Sequence, residues 1–113
     1  MGARLASGVL ASALIRLAEQ AGGHAMVLHK GHAEAGAFLL ELYEKGRFCH
    51  FLERVWTVEG GYRWRPLPWS ADNTEADRGA FRSRRLHSDP DLWIIELDVA
   101  DEQRFTVDMP IGA

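Results

Sequence analysis

Three histidines, His24, His29 and His32, fall within nine residues, Glu34 follows them, and His50 adjoins the single cysteine, Cys49. Imidazole, thiolate and carboxylate are the ligands zinc prefers, and a metal site needs three or four of them converging. No His-Glu-x-x-His helix motif is present. On a strand, residues 24 and 29 would point to opposite faces because their spacing is odd. That leaves His29 and His32, across a turn, as the pair able to meet, and two ligands make a weak site. The expectation is rim histidines and no cofactor, with His29 and His32 as the metal candidates. Cys49 and His50 cannot form a nucleophile–base pair with each other, since neighbours in a strand face opposite ways. A base would have to come from another strand, from His24 or His29. A lone cysteine more often packs as a small apolar residue. The His29, His32, Cys49 and Glu34 region defines one alternative, a small metal- or thiol-dependent enzyme.

The second group is cationic. Arg78, Arg82 and Arg85 are spaced i, i+4, i+7 and share one face of a helix, with Phe81 beside them. Like charges at that spacing cost about 0.2–0.5 kcal/mol unless an anion or a carboxylate offsets them. Guanidinium groups suit phosphate and carboxylate. The stripe therefore reads either as a partner or anion surface, or as a helix face paired to Asp77, Asp89 or carboxylates of a sheet. Trp69, in the segment Pro66-Leu67-Pro68-Trp69, is the best candidate for an exposed aromatic anchor. The leading expectation is a non-enzymatic cytoplasmic interaction module, self-associating or bound to another protein, through Trp69, Arg78, Phe81, Arg82 and Arg85. A third reading, nucleic-acid binding, would use Arg63, Trp64 and the stripe. Thirteen basic residues against 16 acidic ones, a net charge of −3, argue against it. There is no phosphate-binding loop, dinucleotide fingerprint or Gly-x-Ser-x-Gly elbow.

The elements that would position these residues follow from periodicity. Ser7 reads as a helix N-cap. Leu10, Ala13, Leu14, Leu17 and Ala21 then line one helical face, and Gly22-Gly23 ends the helix. Strands are expected over 24–30, 37–44, 47–58 and 62–65, with turns at Lys45-Gly46 and Glu59-Gly60-Gly61. In the third strand Phe48, Leu52, Trp56 and Val58 share one parity. Thr74 to Asp77 resembles a capping box opening a second helix that runs to about His87. Asp89-Pro90-Asp91 stops it. A strand over 92–99 follows, and 104–107 offers a little more strand. The order α-β-β-β-β-α-β with short connections predicts an α+β fold, a mostly antiparallel four- to five-stranded sheet with both helices on one face.

The chain has 113 residues, 47% hydrophobic and 26% charged. That suits one domain, expected over 4–107 with a loose tail at 108–113, and excludes general disorder. One cysteine permits no internal disulfide and fits a reducing compartment. The apolar run after Arg4 is interrupted by Ser7, Gly8 and Ser12, a poor match to an export signal.

Three segments resemble a known family: Arg4-Leu5-Ala6-Ser7-Gly8 leading to Ala13-Leu14-Ile15-Arg16, then Gly31 to Ala35-Gly36-Ala37, then Asp89-Pro90-Asp91-Leu92-Trp93-Ile94-Ile95-Glu96-Leu97. The chain is similar over 4–105 to the bacterial domain-of-unknown-function family 1491, found mainly in alphaproteobacteria. The resemblance implies a compact bacterial cytosolic protein and carries no mechanism. In that family the stretch matching His29-Lys30-Gly31-His32 is basic and glycine-containing, so histidine chemistry is not implied by it.

Overall fold

The computed structural model describes residues 5–70 and 72–111. Arg4, where the domain was expected to begin, and the last two residues of the expected tail lie outside them. The elements are α1 (Ser7–Gln20), β1 (His24–His29), β2 (Phe38–Glu44), β3 (Arg47–Thr57), β4 (Gly61–Pro66), α2 (Glu75–Ser88), β5 (Trp93–Val99) and α3 (Glu102–Asp108). One five-stranded sheet has the order β1-β5-β2-β3-β4. Its pairings are antiparallel except β2 with β5, which run parallel because α2 carries the chain back to the middle of the sheet.

The helices cover both faces, not one. On the first face α1 and α3 bury Leu10, Leu14 and Phe105 against Phe38, Leu40, Leu42, Leu52, Trp93, Ile95 and Leu97. On the second, Phe81 and Leu86 of α2 pack on Leu39, Phe51, Leu92 and Ile94. Apolar residues on both faces of β2 and β5 require two covering layers. The expectation of a single covered face took short connections as the guide and missed this.

Local differences have local causes. Ala6, not Ser7, occupies the N-cap of α1. Ser7 is the first helical residue, and its buried hydroxyl donates to Gly36 O at 2.7 Å. A register shift between Leu42 and Tyr43, opposite Cys49, puts Phe48 on the α2 face with Phe51, whereas Leu52 faces α1. The shared parity read along β3 is broken there. Residues 104–107 are helical, because Asp101 accepts from Arg104 N at 3.1 Å and caps α3. Beyond α3, Met109 is buried, and the carbonyls of Pro110 and Ile111 accept from Trp64 Nε1 (3.0 Å) and Arg54 Nη1 (3.1 Å). The capping box of α2 is present in both directions, Asp77 N to Thr74 Oγ1 at 3.1 Å and Thr74 N to Asp77 Oδ2 at 2.9 Å.

Candidate functional site

Glu41 lies in the middle of β2 between apolar neighbours and has no exposed surface. A carboxylate there needs partners. Arg82 donates from Nη1 to its Oε1 at 2.6 Å, and the Tyr43 hydroxyl donates to its Oε2 at 2.5 Å. Arg78 Nε stands 3.4 Å from the same Oε2. Both arginines also reach Glu75, Arg82 at 2.7 Å and Arg78 at 3.3 Å. Arg85 pairs with Glu53 at 3.5 Å, and Arg65 also pairs with Glu53. Arg78 further hydrogen-bonds Asn73 Oδ1 and lies over the Phe48 ring, 4.8 Å from its centroid.

The stripe on α2 is thus the inward face of the helix, paired to carboxylates of the sheet and of its own first turn. Ala76, Ala80 and Ser83 take the outer side. Phe81 and Trp69 join the same inner layer, half-buried, with ring centroids 4.8 and 5.0 Å from Phe51 and 5.1 Å from each other. The five predicted partner residues do come together, but as an aromatic and ionic layer between α2 and the sheet.

The electrostatics follow from this packing. Burial disfavours the charge on Arg82, but hydrogen bonds to Glu75 and Glu41 outweigh it and hold its pKa above the ordinary value. Burial and the hydrogen bond to Glu41 push the Tyr43 phenol up. Glu96, beside Glu41 in the parallel pair, is raised by burial and then by Glu41 and Glu75. Sequence reasoning missed Glu41 as the centre. The signal was available: a carboxylate inside Phe38-Leu39-Leu40-Glu41-Leu42 cannot be left unpaired.

The histidine and thiol candidates do not assemble. His29 Nδ1 is 2.7 Å from Leu92 O and donates to it, and His32 Nδ1 accepts from the backbone amides of Glu34 and Ala35 at 3.3 and 3.2 Å. Two strands, β5 and β2, separate His29 from Cys49, which also lies three or more rungs along, roughly 18 Å in all. Burial and the carboxylates Glu102 and Glu44 push the Cys49 thiol up, away from the thiolate a nucleophile requires. Among the described residues no group of three His, Cys, Asp or Glu side chains could hold a metal ion. Trp64 is no open stacking platform: its ring packs edge-on to Phe38 at 6.0 Å, and its indole donates to Pro110 O.

The odd spacing of His24 and His29 misleads. In β1 the register shifts between Val27 and His29, so His24, Met26 and His29 stand opposite Asp98, Glu96 and Ile94 and share the α2-side face. This edge strand is open. Met26, Val27 and Leu28 are 55%, 39% and 37% exposed. Among the described strands β1 pairs with β5 alone. At the opposite edge, β4 presents Arg63, Arg65 and Pro66, which block strand addition. Within His24–His29 there is no Asp, Glu, Lys, Arg or Pro.

The three segments that carried the family resemblance meet in one knot. Ser7 N and Gly8 N donate to Glu34 O (3.1 Å) and Ala33 O (2.8 Å), His32 N to Asp91 O (3.0 Å), and Trp93 Nε1 to His32 O (2.9 Å). A Cβ on Gly31 or Gly36 would come within 2.3 or 2.5 Å of Asp91 O.

These features define a small three-layer α+β domain with an internal ion cluster, a sealed loop knot and one open sheet edge. The chain belongs to the family described as protein of unknown function (DUF1491), whose profile matches residues 5–107. It is similar to a DUF1491 family protein from Caulobacter crescentus CB15 seen in a crystal, with 30% identity over 89% of this chain and 94% of that one and a TM-score of 0.77. An NMR structure of a DUF1491 family protein from the same organism matches over 99% and 100% of the two chains, at 30% identity and a TM-score of 0.78. A solution structure from A. tumefaciens matches at 26% identity over 97% and 100%, with a TM-score of 0.73. Comparison with curated proteins finds no match. Among the described residues no helix is long and apolar enough to cross a membrane.

Proposed function

We propose that this domain is a non-enzymatic cytoplasmic interaction module that engages a protein partner by strand addition at β1. The observation that carries the reading is the contrast between the sheet's two edges. β4 bears the charges and proline that discourage pairing, while β1 has no Asp, Glu, Lys, Arg or Pro and exposes Met26, Val27 and Leu28. The inward pairing of Arg78, Arg82 and Arg85 supports moving the binding surface from α2 to this edge. The test is a photoreactive amino acid placed at position 26 in the source cell, with Val107, 83% exposed on α3, as control position. A defined cross-linked protein from position 26 and not from 107 is the expected result. Equal or absent cross-linking at both overturns the reading.

A further inference from the structure

We infer that the strand added at β1 is β1 of a second copy of this chain, paired antiparallel about a dyad at Met26; this rests on the strand-addition reading above. The ladder with β5 gives β1 five positions, His24, Ala25, Met26, Val27 and His29, with Leu28 bulged out of register. A two-fold axis normal to a sheet keeps each side chain on its own face, so only residues of like face can stand opposite one another. With the dyad at Met26 that condition holds at every rung. His24 meets His29 of the second copy, Ala25 meets Val27, and Met26 meets Met26. The bulge decides which residue takes the outer rung: without it Leu28, and not His29, would stand opposite His24.

The chemistry along the seam is complementary. The three inner rungs place apolar on apolar and cover Met26 and Val27, which are exposed in the single copy. The nearest carboxylate to the centre is Glu96, opposite Met26 on β5. Both Met26 residues separate the two Glu96 carboxylates, about 14 Å apart at ordinary strand spacing, so no like formal charges are opposed. Asp98 flanks His24 on the same face, so each outer row runs from a carboxylate through two imidazoles.

The test is the mass of the full chain by light scattering and sedimentation up to about 100 μM, where a micromolar contact is populated. Wild type is expected to approach twice the 12.7 kDa chain mass. Met26→Lys sets two ammonium groups on the dyad and is expected to remain at the single-chain mass. In a Cys49→Ser background, Met26→Cys is expected to oxidise to a disulfide-linked dimer at least about tenfold faster than Val27→Cys, whose two copies stand two rungs apart. Position 26 is exposed, and an unchanged melting curve verifies folding of each variant. A wild type that stays monomeric, or equal cross-linking at 26 and 27, overturns self-pairing. If self-pairing fails while a photoreactive group at 26 captures a different protein, strand addition stands with another occupant. If 26 captures nothing, both readings fall.

Discussion

Arg82 bridges two layers of the fold, with Nη1 2.6 Å from Glu41 Oε1 on the sheet and Nη2 2.7 Å from Glu75 Oε1 at the start of its own helix. Glu41 is fully buried, whereas the Arg82 side chain is 19% exposed. The arginine can keep part of its hydration while the carboxylate depends on protein donors. This asymmetry makes Glu41 the dependent partner and explains why arginines, with several donors each, occupy the facing helix.

Removing one member of such a cluster leaves uncompensated charge. Glu41→Ala is expected to lower the unfolding free energy by about 3–5 kcal/mol, and Arg82→Ala by less because Arg78 remains. The double variant should lose about 1–3 kcal/mol less than the sum of the two singles. Urea denaturation of the three variants measures this. Additive losses would mean that the two side chains do not interact.

Glu96 gives the cluster a pH dependence of opposite sign to ordinary acid unfolding. Burial, then Glu41 and Glu75, raise its folded pKa above the unfolded value. The folded state therefore holds that proton more tightly. Its contribution is favourable at low pH and falls as pH rises from the ordinary glutamate range through the raised value. Glu96→Gln is expected to increase the denaturation midpoint at pH 7 and leave it unchanged below about pH 4. An equal effect at both pH values would refute the electrostatic origin.

The elements were legible because their periodicities are local. The positions of Leu10, Leu14 and Leu17, the Thr74–Asp77 box and the Lys45-Gly46 turn, with φ values of 50° and 83°, all act within a few residues. The two register shifts were not legible. A bulge is a property of a pair of strands, and nothing in His24–His29 or Arg47–Thr57 alone marks it. The same limit hid the candidate site. Arg78, Arg82 and Arg85 were visible as a stripe, but the sheet face that answers them depends on the parallel pairing of β2 with β5. The helix over 102–108 was misread because Arg104, Phe105, Thr106 and Val107 alternate as a strand would, while the Asp101 cap directs the chain otherwise.

The loop knot separates two glycines of similar appearance. At Gly31 an added Cβ would meet Asp91 O at 2.3 Å and Trp93 N at 2.7 Å, both backbone atoms that cannot swing away. At Gly8, in the first turn of α1, the nearest atom is Ala33 O at 3.5 Å, an ordinary contact. Gly31→Ala is expected to destabilise by about 3 kcal/mol or more. Gly8→Ala is expected to stabilise by up to about 1 kcal/mol through helix propensity. Thermal melting of the two variants checks both signs, and a Gly31→Ala variant as stable as wild type would contradict the close approach.

Cys49 provides a direct reading of its surroundings. Burial, followed by Glu102 and Glu44, raises its thiol pKa. Since the thiolate is the reactive form, alkylation by iodoacetamide at pH 7 is expected to be slower than for an unstructured cysteine peptide. Its rate should keep rising at pH values where the peptide has levelled off. Glu102→Gln removes the larger of the two carboxylate effects and should shift the profile toward lower pH. The same substitution removes the 3.8 Å contact between Glu102 and His50 Nε2, so His50→Gln serves as the control for lost packing. A profile already at its plateau near pH 7 would restore a nucleophilic role for Cys49. A shift in Glu102→Gln that is absent from His50→Gln assigns the raised thiol to the carboxylate.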